Sequence, residues 1–123
     1  MTQPDFKNVG VSDLVERFAV LGVEDDQAEK VDDIAKCNRV RRQMELIAKE
    51  LKSRPGDQRR ALVTLYDHPN IQVRLSAAKY TLAVEPEKAR RLIEAIAESR
   101  CFPQAGDAGM CLVLLDRGIF VPR

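Results

Sequence analysis

Tryptophan is absent from this 123-residue chain, aromatic residues make up only 5% of it, and histidine occurs once. With so few aromatic side chains, leucine, alanine, valine and isoleucine must fill the core, which suits helices that pack closely. A single histidine leaves no second imidazole for a metal site or a proton relay. We therefore expect no enzyme, no cofactor and no bound metal.

Cysteine is also scarce, and its three copies lack the CxxC spacing of metal or redox sites. An odd number of cysteines in a chain of this size fits a reducing compartment, so we expect a cytoplasmic protein. The N-terminus lacks a basic start followed by an apolar segment, so we expect no signal peptide. The longest apolar run, MCLVLL, is too short to span a membrane.

Charge is balanced overall but not along the chain. The net charge of +1 argues against a strong field for nucleic acid or acidic membranes. Residues 1–33 carry nine acids and three bases, whereas residues 34–60 carry nine bases and three acids. The two segments either orient a docking partner or neutralise each other within the fold. The acidic run EDDQAEKVDD lacks the glycine and alternating oxygen ligands of a calcium loop, so it is interpreted as an acidic helix start.

The spacing of apolar residues predicts helices throughout. Residues 1–11 show no period and are expected to be loose. A first helix follows and should end at Gly22, a residue that often stops helices. A long second helix is predicted from about Asp25 to Lys52, with a bend near Asn38. Its buried stripe should consist of Cys37, Val40, Met44, Ile47 and Leu51.

Four further helices are predicted after the Pro-Gly turn in SRPGD. No segment alternates with period two for long enough to form a strand. The fold class is therefore all-α, about six helices in antiparallel pairs, in a single domain over residues 1–123 with a tail at 118–123. The later helices are expected at 57–67 with Asp57 as N-cap, at 70 to about 84, at 86–99 with Pro86 first, and at about 104–117.

The stretch YDHPNIQVRLSAAKYTL contains the only histidine and a patterned set of residues. This set comprises Asp67, Pro69 and Asn70 at the turn, then Val73, Arg74, Ala77, Ala78 and Leu82. It resembles the HEAT repeat over about residues 57–84, with His68 inserted between the aspartate and the proline as a departure. Over about residues 12–117 the chain is also similar to a small bacterial family of uncharacterised HEAT-like domains with no assigned activity.

This resemblance to the ARM/HEAT superfamily implies a short right-handed α-α superhelix of three helix pairs. Pro69 cannot continue the preceding helix, and Asn70 can cap the next one. By analogy with HEAT repeats, Arg74 should reach back to Asp67 or to carbonyls of a neighbouring turn. His68 is then interpreted as a turn residue rather than a catalytic or metal-binding one.

The resemblance also places the second helix of each pair on a concave face. That groove would present Arg42, Lys49, Gln72, Ser76 and Lys79. These residues are either simply solvated or bind an acidic protein or peptide. A nucleic-acid backbone is the competing ligand, although the near-zero net charge argues against it.

The C-terminal sequence GMCLVLLDRGIFV is apolar on every side of the last helix. Either the tail residues Ile119, Phe120 and Val121 fold back over this helix, or a second subunit covers it as a homodimer. Gly106 and Gly109 either permit close helix packing or mark the helix start. We predict a protein–protein interaction module. A role as an immunity or antitoxin partner is a fold-level analogy.

Overall fold

A computed structural model describes residues 5–123, and within them every regular element is a helix. The all-α prediction is confirmed. The elements are α1 (Val11–Lys30), α2 (Ile34–Ser53), a 3₁₀ helix (Gln58–Asp67), α3 (Ile71–Thr81), α4 (Pro86–Glu98) and α5 (Gln104–Asp116). The chain divides into two compact units, the first ending at Ala61 and the second covering Leu62–Arg123. The single domain over 1–123 stays a prediction.

The first unit is an antiparallel hairpin of α1 and α2. Phe6, just before α1, is buried, and its carbonyl accepts a hydrogen bond from Arg54 Nη2 at 3.0 Å, just after α2. Residues 5–10 form turns and no helix, and a buried aromatic ring and this bond connect them to the end of α2; the loose N-terminal segment stays a prediction. Residues 1–4 of that segment lie outside the described residues.

The boundary between the first two helices was predicted wrongly. α1 continues through Gly22, which is buried in its interior, as far as Lys30. The break comes later, where Asp32 adopts a positive φ of 56° and the Asp33 carboxylate accepts the Lys36 N–H at 3.1 Å. That bond is an N-cap, and it starts α2 at Ile34. The acidic run therefore ends α1 instead of opening α2.

Within α2, the predicted buried stripe from Cys37 to Leu51 is confirmed, since all five of its side chains are buried. The expected bend near Asn38 does not interrupt the helix, which runs unbroken from Ile34 to Ser53. Spacing thus identified the buried face of α2 but not its first residue.

The third predicted helix forms, but as a 3₁₀ helix. Asp57 precedes it with a positive φ of 51°, and its carboxylate accepts the Arg59 backbone N–H at 3.3 Å and the Arg59 side chain at 2.6 and 2.9 Å. The hydrogen bond from Arg59 lowers the pKa of Asp57. Asp57 thus lies at the start of the helix, as expected, and its carboxylate binds Arg59, two residues later.

The second unit packs α3 on α4 and α4 on α5. Arg90 near the start of α4 pairs with Asp116 at the end of α5 at 2.9 Å, so these two helices are antiparallel. α3 ends at Thr81, short of the predicted end at about Val84, and the following turn has the N–H groups of Val84 and Glu85 bonded to the Thr81 carbonyl. The core between the three helices consists of Leu75, Ala78, Leu82, Ala89, Ile93, Ile96, Ala108 and Cys111.

The C-terminal tail folds back in part. Gly118 has a positive φ of 69°, and the N–H groups of Ile119 and Phe120 both bond to the Leu114 carbonyl. Phe120 packs against the core of the second unit, whereas Ile119 and Val121 are exposed. Among residues 5–123, no helix has the length and apolar character needed to cross a bilayer.

Candidate functional site

Two of the five predicted groove residues do not face solvent. Gln72 and Ser76 are buried, and Gln72 Nε2 donates to Ser76 Oγ at 3.0 Å. Gln104 Nε2 of α5 donates to Gln72 Oε1 at 3.1 Å. The prediction that Gln72 and Ser76 line a binding groove is therefore wrong. The two side chains satisfy each other and tie α3 to α5, because most of the surface of α3 is buried.

Lys79, the third groove residue on α3, is partly buried, and its ammonium group lies 2.7 Å from Asp107 of α5. Its positive charge is therefore already matched by a carboxylate within the second unit. An acidic ligand at Lys79 would have to compete with Asp107, so Lys79 is a poor anchor for such a ligand.

Arg42 and Lys49, the remaining two, are exposed on α2. Lys49 pairs with Glu45 one turn earlier at 3.6 Å. Arg42 and the nearby exposed Arg39 have no carboxylate within ion-pair distance among residues 5–123. The basic face of α2 thus reduces to two unpaired guanidinium groups.

The turn that contains the single histidine is held by hydrogen bonds. Asn70 Oδ1 accepts the N–H groups of Gln72 and Val73 at 2.8 and 3.2 Å, which confirms Asn70 as the N-cap of α3. His68 Nδ1 accepts the Asn70 N–H at 3.0 Å. Arg74 Nη1 donates to the carbonyls of His68 and Pro69 at 2.7 and 3.1 Å, so it reaches the turn carbonyls and not the Asp67 carboxylate.

The most tightly organised polar cluster joins the end of α1 to the start of α2. Arg41 Nε bonds to both carboxylate oxygens of Asp25, and Arg41 Nη2 bonds to Glu29 at 2.7 Å. The Cys37 thiol lies beside them, 4.0 Å from the Asp25 carbonyl. Burial raises the pKa of the Cys37 thiol, and the negative charge of Asp25 adds to this effect.

Asp25, Glu29 and Cys37 each offer one possible metal-ligand atom, and these atoms lie within 4.8 Å of one another. A cation bound there would have to displace Arg41 from both carboxylates. A pocket of about 130 Å³ next to the cluster is also lined by Arg41. The guanidinium therefore serves as the counter-ion of this cluster, which makes it a structural tie between α1 and α2.

Sequence reasoning missed this cluster because it placed Asp25 and Glu29 on the same helix as Cys37 and Arg41. The four residues form two pairs at i, i+4 spacing on either side of the actual break. Had the helix boundary been predicted at Asp32–Asp33, the Asp25–Glu29 pair and the Cys37–Arg41 pair would have been expected to face each other across the helix hairpin. The interaction also supports the earlier alternative that the acidic and basic segments neutralise each other within the fold.

A groove of about 760 Å³ runs along α1 in the first unit. Its polar lining consists mainly of the carboxylates Asp5, Asp13, Glu16 and Glu24, with one arginine, Arg17. Among the described residues that line it there is no histidine, cysteine or serine. The described lining therefore offers no hydroxyl, thiol or imidazole nucleophile.

The outward face of α5 carries the exposed apolar side chains of the second unit's last helix. Phe102 is 72% exposed just before α5, and Met110 and Val113 are 57% and 44% exposed on it. Gly106 lies between them, with Phe102 packed near it. We call Phe102, Gly106, Met110 and Val113 the α5 stripe. Contiguous exposed apolar side chains of this kind are typical of protein-binding surfaces.

Two comparisons relate the chain to other proteins. It is similar to the crystal structure of the protein RPA1889 from Rhodopseudomonas palustris CGA009, with 54% sequence identity and a TM-score of 0.96 over 98% of this chain and 100% of that one. No protein with a curated description matches. Residues 12–116 match a family described as a domain of unknown function, DUF2019. The chain therefore belongs to the DUF2019 family.

Proposed function

We propose that this protein is a non-enzymatic protein-binding module and that the α5 stripe is its contact surface. The observation that carries the proposal is the row of Phe102, Met110 and Val113, all exposed on one side of the second unit. Aromatic residues and methionine are enriched in the buried centres of protein interfaces. The sequence suggested two binding surfaces, the groove of second helices and the apolar C-terminal face. Because Gln72 and Ser76 of that groove are buried, the C-terminal face is the better candidate.

The state of the reactive side chains supports a binding role over catalysis. His68 uses Nδ1 to accept a backbone N–H within its turn. Burial raises the pKa of the Cys37 and Cys111 thiols, which lowers their thiolate fraction and so their reactivity. The Cys37 thiol lies beside the carboxylates of Asp25 and Glu29, but both carboxylates bond to Arg41, and the negative charge of Asp25 raises the thiol pKa further.

As part of the same proposal, about residues 57–84 form a HEAT-like repeat within a short right-handed superhelix, and the protein works in the bacterial cytoplasm. The Asn70 cap and the bonds from Arg74 to the turn carbonyls support the repeat. All three cysteines are free, and Cys101 is exposed, which suits a reducing compartment.

The test is affinity capture of the tagged protein from its own cells, with Met110→Asp compared against the wild type and against Arg42→Glu on α2. We expect one stoichiometric protein that is lost with Met110→Asp and retained with Arg42→Glu. Burying a charge in an interface core costs more than removing an apolar contact, so the loss should exceed about tenfold. Retention with Met110→Asp would refute the contact surface, provided that circular dichroism shows both variants folded.

A second function, binding to a nucleic-acid backbone, is favoured by the unpaired exposed guanidinium groups of Arg39 and Arg42. Such binding would weaken steeply as salt rises, because each neutralised phosphate releases a counter-ion. Fluorescence anisotropy with a labelled duplex at low salt decides it. Binding lost in Arg39→Glu/Arg42→Glu would establish this function, and no binding at low salt would remove it.

A further inference from the structure

The two glycines of α5 have no evident role in the packing of the chain itself. A Cβ atom built at Gly109 would meet nothing within 4 Å, and one at Gly106 would touch only the Phe102 ring at an ordinary distance of 3.7 Å. Each glycine inside a helix costs about 1 kcal/mol relative to alanine. The internal packing of the second unit therefore does not explain why both positions lack side chains.

Both glycines lie on or beside the α5 stripe, where their lack of side chains lowers the helix surface. Gly106 and Gly109 are three residues apart, so they are neighbours on one side of the helix, where the Phe102 ring lies beside Gly106 and Gly109 faces open space. A helix position without a side chain lets a second helix approach more closely, because the usual 8–10 Å between helix axes depends on the side chains at the contact. From Gly106 to Arg117 the face extends roughly 16 Å, about three helical turns.

The charges around the stripe are positive on balance. Its two carboxylates are already paired, Asp107 with Lys79 at 2.7 Å and Asp116 with Arg90 at 2.9 Å. Arg100, before the helix, and Arg117, after it, are both exposed, and neither has a carboxylate within ion-pair distance among residues 5–123. One unpaired positive charge therefore stands at each end of the stripe.

We infer that the α5 stripe binds an amphipathic α-helix of a partner protein, with the backbone of that helix crossing at Gly109 and its acidic residues meeting Arg100 and Arg117. This inference rests on the proposed function and specifies its partner class. An apolar helix face fits the exposed Phe102 and Met110, and carboxylates at the ends complement the two free guanidinium groups.

The charges also disfavour a second copy of α5 as the occupant. Two antiparallel stripes related by a twofold axis would place Arg117 of one copy near Arg100 of the other. Two parallel stripes would place each arginine against its own equivalent. Like charges meet in both arrangements, which opposes self-association and favours an acidic partner.

The test uses two synthetic helical peptides of about 16 residues that share the same leucine-rich face, one flanked by glutamates and one by lysines. Fluorescence anisotropy measures the affinity of each labelled peptide for the full-length protein. At low salt we expect the affinity of the glutamate peptide to exceed that of the lysine peptide by about tenfold or more. The difference should shrink as salt screens the charges. Arg100→Glu/Arg117→Glu should reverse the preference, while the matched Arg39→Glu/Arg42→Glu should not.

Gly109→Ala separates a docking role from a purely structural one, because its two effects have opposite signs. The alanine should raise the melting temperature of the free protein, since the helix gains propensity and the new methyl group has open space. The same methyl group should lower the affinity for the glutamate peptide by about fivefold or more, because it holds the two helix backbones apart. Unchanged or tighter binding would overturn the close approach of a helix.

Other outcomes also decide the matter. Equal affinity for both peptides, lost on Met110→Asp, would overturn the acidic partner while leaving the stripe as a binding surface. Failure of both peptides at millimolar concentration would overturn the helical partner, and the capture experiment alone would then judge the proposed function. A dimer in sedimentation equilibrium that Met110→Asp dissociates would identify a second copy as the occupant and refute the inference.

Discussion

Arg41 Nε lies 3.0 and 3.1 Å from the two carboxylate oxygens of Asp25, and this contact links the end of α1 to the start of α2. Asp25 is 1% exposed, whereas the Arg41 side chain is 51% exposed. The buried Asp25 carboxylate therefore needs the Arg41 guanidinium as its counter-ion, whereas the guanidinium is largely solvated without it. Removing Asp25's partner leaves a buried charge, while removing the aspartate frees a side chain that water can still reach.

The first prediction concerns Arg41→Ala. Losing one member of a buried ion pair costs about 3–5 kcal/mol, but the exposure of Arg41 lets water reach the site and reduces the expected loss to about 1–2 kcal/mol. Urea unfolding of the purified protein measures the change. Arg42→Ala is the matched control, because Arg42 is the next residue in the helix and is exposed without a carboxylate partner among residues 5–123. It should change the free energy of unfolding by less than about 0.5 kcal/mol. Equal effects of the two substitutions would contradict the proposed tie.

How far the sequence predicts the fold is visible in α2. Apolar spacing identified its buried stripe because the helical period repeats over four turns, and a long periodic signal tolerates errors at either end. The start of α2 was missed because Gly22 looked like a stop, although a buried glycine can lie inside a helix. The actual break depends on the positive φ of Asp32 and the cap from Asp33, which the surrounding acidic run concealed.

The candidate site was less predictable, and α3 illustrates the reason. Gln72 and Ser76, four residues apart, were interpreted as a polar outward face. Seven of the eleven residues of α3 are buried, including those two. When a helix is buried on most sides, polar spacing no longer identifies the solvent side, since buried polar groups can satisfy one another. For α5 the sequence predicted only that its apolar residues would be covered by the tail or by a second subunit, and the exposed Phe102 before the helix was not identified.

The second prediction distinguishes a buried bond network from a binding groove. Gln72→Ala leaves Ser76 and Gln104 without a shared partner and opens a small cavity, so we expect a loss of about 1–3 kcal/mol in the free energy of unfolding. Lys79→Ala removes a partly exposed ion pair and should cost less than about 1 kcal/mol. Denaturant unfolding of both variants checks this. If Gln72→Ala unfolds with the same free energy as the wild type, Gln72 behaves as a surface residue and the buried bond network is contradicted.

The third prediction tests the cap of α3. Asn70→Ala removes the acceptor for the N–H groups of Gln72 and Val73, which should lower the free energy of unfolding by about 1 kcal/mol. Asn70→Asp keeps an acceptor oxygen in that position and adds a negative charge at the helix N-terminus, so it should retain stability or increase it slightly. Thermal unfolding ranks the three proteins. Asn70→Ala equal to the wild type would show that other contacts fix the turn.

The fourth prediction concerns the buried thiols at alkaline pH. Burial raises the pKa of Cys37 and Cys111 in the folded protein above the unfolded value. Their contribution to stability is therefore complete below the ordinary thiol pKa of about 8.5 and is lost as the pH rises through the higher folded-state pKa. The free energy of unfolding should fall as the pH rises above about 8.5, because the unfolded chain releases these protons first.

Cysteine variants test this assignment directly. Cys37→Ala and Cys111→Ala should each flatten the decline in unfolding free energy with pH, whatever they cost in absolute stability, because each removes one titrating thiol. Cys101→Ala is the matched control, since it removes an exposed thiol instead of a buried one. Titration with a thiol reagent at neutral pH gives an independent reading, with Cys101 reacting first and the other two only as the protein opens. If all three cysteines react at the same rate in the folded protein, the burial of Cys37 and Cys111 does not control their chemistry.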